Sequence, residues 1–142
     1  MKMPSLSRIA IDSEIFVIYF KEEEDAERIK GLMQRVRDNE TEAIISSITL
    51  SEVYYSLARY DQSLAEEVLS VLKSQLKVIP VNIEIAELTG EFKYRYSKAG
   101  DPLPIADAII AATAKIENVS LLAEDPHFDK IKEVDTVSID DL

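Results

Sequence analysis

The stretch Arg8-Ile9-Ala10-Ile11-Asp12-Ser13-Glu14-Ile15-Phe16-Val17-Ile18-Tyr19-Phe20 sets the pattern for the whole chain. Arg8–Ile11 is short, apolar and β-branched, which predicts a buried strand. Asp12-Ser13 ends it and suits the cap of a following helix that carries residues 15–20. Ala26, Ile29, Leu32, Met33 and Val36 then fall at helical spacing within a charged segment, the mark of an amphipathic helix. Ala43-Ile44-Ile45-Ser46 is a second short strand, and a helix starts at Ser47 or Thr49 and runs to about Tyr60. Leu64, Val68, Leu69, Leu72 and Leu76 mark another helix. Residues 77–80 form a brief strand, and Ile85, Leu88, Phe92 and Tyr96 mark a helix that stops near Gly100. Pro104 suits the first position of a helix over residues 104–114, with Asn118 as its C-terminal cap. Residues 119–123 are a fourth strand, Asp125-Pro126 opens a short turn or helix, and residues 134–138 are the last strand.

Short apolar strands that alternate with helices imply a parallel sheet covered on both faces, and sites in such folds lie outside the carboxyl ends of the strands. The chain has 142 residues, enough for one domain over residues 1–142, and no repeat or Gly/Ser linker divides it. The longest apolar run, residues 15–20, is far short of the roughly 18 residues of a membrane span. No basic-then-apolar leader is visible, so the expectation is a cytoplasmic protein without a membrane partner.

The absence of Cys excludes disulfides, zinc–thiolate sites and cysteine nucleophiles, and the single His excludes a His-rich metal site. Carboxylates remain: 27 Asp and Glu against 16 Lys and Arg, a net charge of −11. Oxygen donors suit Mg²⁺, Mn²⁺ or Ca²⁺. Such a charge repels nucleic acid at long range, so a nucleic-acid substrate requires a local basic surface or a partner that supplies one.

Four acids stand where a charge is expensive or where sites form. Glu52 is the only charged residue between Glu42 and Arg59, and Asp107 the only one over residues 104–114, in helices apolar on most sides. Asp12 and Asp125 follow strands closely. Each has a bland alternative: a helix cap for Asp12, a turn residue for Asp125, a core ion pair for Glu52 and, weakest, for Asp107. Two carboxylates at about 4 Å repel by on the order of 4 kcal/mol at an effective dielectric near 20, so four that converge need protons or a cation. A divalent ion would remove the repulsion and lower the pKa of bound water. A receiver-type phosphotransfer domain needs an acceptor Asp after a central strand, where Ser46-Ser47 stands. A haloacid-dehalogenase-like phosphatase needs Asp-x-Asp, where Asp12-Ser13-Glu14 stands.

Four segments together resemble the acidic motifs of PIN domains: Ile11-Asp12-Ser13, residues 48–52 ending in Glu52, residues 103–114 around Asp107, and residues 121–128 around Asp125. Their order and spacing resemble the VapC-type toxins of toxin–antitoxin pairs. The resemblance covers about residues 8–138. It implies a three-layer α/β/α sandwich with a short central parallel sheet. It further implies an Mg²⁺- or Mn²⁺-dependent endoribonuclease with Asp12, Glu52, Asp107 and Asp125 as an acid tetrad. Asp12 and Asp107 would ligate the metal directly. Glu52 and Asp125 would act through water, orient the attacking water or hold a second ion. RNA would be cut by metal-activated water in line, leaving a 5′-phosphate and a 3′-hydroxyl. The resemblance also implies a small antitoxin partner and a homodimer. The alternatives are a free-standing PIN nuclease in RNA processing, or a degenerate PIN fold used for binding.

The chain departs from the family at Ala123, where Thr or Ser is frequent, and at Glu14, where a small polar residue is frequent. Glu14 either faces solvent or adds charge beside the site. Lys93, Arg95 and Lys98, interleaved with Tyr94 and Tyr96, form the one basic–aromatic stretch, either an RNA contact or a solvated helix face. His127 reads as a turn residue rather than a general base, Phe128 as a core anchor, and Tyr54 and Tyr55 as packing residues.

Overall fold

The computed structural model describes residues 7–142. Its centre is a parallel sheet in the order β3-β2-β1-β4-β5, with β1 Arg8–Ile11, β2 Glu42–Ser46, β3 Lys77–Ile79, β4 Ser120–Leu122 and β5 Thr136–Val137. Ile9 pairs with Ala43 on one side and with Ser120 on the other, so β1 lies at the middle. The chain builds outward from β1 through β2 to β3, then returns to the opposite side of β1 for β4 and β5. In sheets that reverse order in this way, ligands bind beyond the carboxyl ends of the strands at the reversal, here at β1 and β4.

Strand alternation divides the core into two layers. Ile9, Ile11, Ala43, Ile45 and Leu122 pack towards α1 (Ser13–Phe20), α2 (Ala26–Arg37), α3 (Ser47–Ala58) and α4 (Gln62–Gln75). Ala10, Ile44 and Leu121 pack towards α5 (Ile83–Lys98) and α6 (Ile105–Glu117). The architecture is the α/β/α sandwich the sequence pattern implies. Ala108, Ala111, Ala112 and Ala114 are buried in the second layer, and their small side chains let α6 sit close on the sheet.

Local signals in the sequence explain most boundaries. Ser46, Asp61 and Asn82 cap α3, α4 and α5 by accepting backbone N–H bonds from Ile48, Leu64 and Ile85. Asn118 closes α6 in the left-handed conformation, φ 56° and ψ 50°. Three details differ from the sequence reading. Pro104 stands just outside α6, which starts at Ile105 and extends to Glu117. β5 is only two residues long because it pairs at the sheet edge with the short β4. Tyr55 is 64% exposed on α3 and fills no core position, while Phe128 is buried as expected. Among the described residues no helix is long and apolar enough to cross a membrane.

Candidate active site

Asp12 follows β1 directly, and its N–H donates to Leu122 O at 3.0 Å, which extends the ladder between β1 and β4 by one residue. It occupies the N-cap position of α1 without a well-formed side-chain capping hydrogen bond, although the Ser13 and Glu14 amides lie close enough to favour its charged form. The residue is only 4% exposed, and among the described residues the carboxylate has no ion-pair partner. Burial pushes its pKa from 3.8 up to about 7; the backbone amide of Ser13 opposes this, and repulsion from Glu52 and Asp107 adds to it.

Glu52 lies in the second turn of α3, the helix that leaves the carboxyl end of β2. Burial raises its pKa, the Ser13 hydroxyl lowers it, and Asp107 raises it again. The hydroxyl contact is explicit: Ser13 Oγ donates to Glu52 Oε1 at 3.1 Å. The core Arg that the bland reading requires is absent among the described residues.

Asp107 enters from the first turn of α6, with its side chain 14% exposed. Burial raises its pKa, Asp125 raises it further, and His127 pulls it down. Asp107 is thus the one acid electrostatically coupled to each of the other three. Asp125 follows β4 and caps the 3₁₀ turn Pro126–Lys130, its Oδ1 accepting the His127 N–H at 2.9 Å. Its reading as a turn residue therefore holds, alongside its place in the cluster.

Glu14 satisfies both of its alternatives. It is exposed, yet partial loss of water around its carboxyl, together with repulsion from Asp125, Glu124 and Glu23, raises its pKa. Ala123 is buried in the apolar layer below α5 and α6, so no hydroxyl is contributed there.

Two residues at the site were not singled out by sequence reasoning. Ser13 was read as a cap but tethers Glu52. His127 was read as a turn residue, and its Nδ1 lies 3.1 Å from Asp107 Oδ2 and 3.2 Å from Asp125 Oδ1. The usable signal was its position two residues after Asp125 within one turn.

Two cations of the basic stretch have intramolecular partners. Lys93 Nζ donates to Leu103 O at 2.7 Å, and Arg95 pairs with Glu133. Lys98 stacks 5.9 Å over the Tyr94 ring and makes no hydrogen bond or ion pair among the described residues. α5 thereby braces the loop that leads into α6 and Asp107.

The donor set fits a divalent ion. A carboxylate as buried as Asp12, beside two further acids and without a cation, leaves negative charge that oxygen-coordinated Mg²⁺ or Mn²⁺ would offset.

Solved structures share this fold. The VapBC2 complex of Rickettsia felis, bound to a promoter DNA fragment, contains a chain that matches with TM-score 0.76 at 20% identity, covering 92% of this chain and 98% of that one. DNA-bound VapBC from Salmonella typhimurium matches with TM-score 0.76 at 21% identity, covering 93% and 98%. VapC20 of Mycobacterium tuberculosis, described as a sarcin–ricin loop cleaving toxin, matches with TM-score 0.70 at 15% identity, covering 87% and 95%. No curated protein matches significantly. The sequence profile of the PIN domain spans residues 9–134, nearly the whole described chain, and all four acids fall within it. The chain belongs to the PIN domain family.

Proposed function

We propose that this chain is a divalent-metal-dependent endoribonuclease and the toxin of a toxin–antitoxin pair. The observation that carries the reading is the buried carboxylate of Asp12, without a cation partner among the described residues and repelled by Glu52 and Asp107. A side chain in that state destabilises the protein unless something binds it. Asp12 and Asp107 would hold Mg²⁺ or Mn²⁺ directly, with Glu52 and Asp125 at its water ligands or at a second ion. When bound, such an ion lowers the pKa of its water and offsets charge that develops on a phosphodiester.

The chain's own groups do the positioning. Ser13 fixes one oxygen of Glu52 and leaves the other to orient the attacking water. The cap bond from His127 N–H fixes the Asp125 carboxylate at the mouth of the site. Lys93 holds the Leu103 carbonyl, and so the entry to the helix that carries Asp107.

RNA is the substrate the family resemblance favours, and one matching fold is a sarcin–ricin loop cleaving toxin. Of the three cations on α5, Lys98 is the one left to meet a phosphate backbone. The matches to VapBC complexes support a small antitoxin partner, whose Arg or Lys would enter the acid cluster and silence it. A cytoplasmic homodimer is part of the same reading.

The test is cleavage of RNA by wild type and Asp107→Asn with Mg²⁺ or Mn²⁺, with and without EDTA. Cleavage that needs metal and is lost in the variant supports the proposal. Cleavage that survives EDTA or the substitution refutes the mechanism, and a metal-loaded chain with no activity on any RNA points to the degenerate, binding-only alternative.

A further inference from the structure

His127 brings the one nitrogen donor into a site otherwise made of oxygen. Its Nδ1, Asp107 Oδ2 and an Asp125 carboxylate oxygen all lie within 4.8 Å of one another. The separations from Nδ1 to the two acids, 3.1 and 3.2 Å, decide what the trio can hold. An octahedral ion with bonds of about 2.1–2.2 Å sets neighbouring donors about 3.0–3.1 Å apart, so Nδ1 already stands at the spacing of an adjacent ligand to each acid.

The ring is held there by its surroundings. Asp125 fixes the His127 backbone N–H, and the next residue, Phe128, is 1% exposed and anchors the turn in the core. The imidazole itself remains 43% exposed, so its placement is not a matter of filling space. In the metal-free chain Nδ1 is at hydrogen-bond distance from Asp107; ligation of an ion requires the tautomer in which Nε2 carries the ring proton and the Nδ1 lone pair is free.

We propose that His127 ligates a divalent ion through Nδ1 beside Asp107 and Asp125, at the second-ion position named above, and that this nitrogen biases that position towards Mn²⁺ over Mg²⁺. The inference rests on the metal-dependent nuclease reading of the same site. Its physical basis is donor preference. Mg²⁺ takes oxygen almost exclusively, whereas Mn²⁺, although it too favours carboxylate oxygen and stands lowest in the first-row series, tolerates an imidazole nitrogen better than Mg²⁺ does.

The chain has a single His, so in tag-free protein any imidazole signal at a bound ion comes from His127. The experiment is pulsed EPR of the Mn²⁺-loaded protein, paired with calorimetric titration of Mn²⁺ and Mg²⁺ into wild type and His127→Gln. Nitrogen couplings are expected in wild type and absent in the variant. The variant's Kd for Mn²⁺ should rise at least about tenfold, the lower end of what even an outer contact to a metal contributes. Its Kd for Mg²⁺ should change by less than about threefold, because that ion loses little when nitrogen is removed. Mn²⁺ that binds without nitrogen coupling, or affinities for both ions that fall together, would overturn the inference and leave the nuclease reading standing. Failure of wild type to bind either ion would overturn both.

Discussion

Asp12 shows how one side chain can be set against the fold that contains it. At 4% exposure with a pKa near 7, its charged form is disfavoured, because burial removes its water and Glu52 and Asp107 repel it. Substituting Asp12→Asn removes that charge and offers N–H donors to the neighbouring acids. The metal-free variant is therefore expected to be more stable than wild type at pH 8, by an amount on the order of 1–4 kcal/mol, since one pKa unit is about 1.4 kcal/mol. Thermal unfolding in EDTA checks this, and a lower melting temperature for the variant would show that the carboxylate has a stabilising partner after all. Thr49 presents the uncharged version of the same problem. Its hydroxyl is fully buried without a hydrogen-bond partner among the described residues. Thr49→Val keeps the shape and drops the orphaned group, so it should hold or raise stability by up to about 1 kcal/mol in denaturant titrations. A loss above 1 kcal/mol would mean that the hydroxyl is satisfied in solution.

The distance between Asp107 and its partners is set by a helix, and the sequence shows why. Alanines at positions 108, 111, 112 and 114 are buried against the second face of the sheet, so α6 approaches closely and carries Asp107 to the strand ends. Ala111→Leu inserts three carbons where there is no space. It should cost about 1–3 kcal/mol and weaken Mn²⁺ binding, because relief of the clash moves α6 outward. Calorimetry on the folded variant separates the two effects, and unchanged metal affinity would show that α6 has no part in setting the site. At the other end of the helix, Asn118 sits at φ 56°, so Asn118→Ala should lose about 1 kcal/mol and Asn118→Gly little or nothing. Elements of this kind were legible beforehand, since apolar alternation, Asn caps and an alanine-rich run act locally. The acids were legible because Glu52 and Asp107 are lone charges in apolar helices. Ser13 and His127 were not, because their roles depend on which way a hydroxyl and a ring turn once β1, α3 and α6 have met. The partners of Arg95 and Lys93 were not legible either, because Glu133 and Leu103 O lie 38 and 10 residues further along and reach α5 only through the fold.

For the molecule as a whole, metal, pH and stability form one linked system. The folded chain holds Asp12 protonated up to about pH 7, whereas an unfolded Asp releases its proton near 3.8. Between these values the native state binds more protons than the unfolded state, so the stability of the metal-free protein must fall as pH rises from about 4 to about 7. The raised pKa values of Glu52, Asp107 and Glu14 push in the same direction. A divalent ion reverses the slope, because its ligands must be deprotonated and its binding stabilises only the folded state. The gain in melting temperature from millimolar Mn²⁺ should therefore widen steadily from pH 5 to pH 8. The overall charge of −11 also penalises the compact state at high pH, but that repulsion acts between exposed groups and is screened within about 3 Å at 1 M salt. Repeating the scan in EDTA at 1 M NaCl isolates the buried component. A pH slope that persists there and disappears in Asp12→Asn belongs to the cluster, whereas a slope abolished by salt alone would mean that the acids do not repel one another in the folded chain and have no need of a metal.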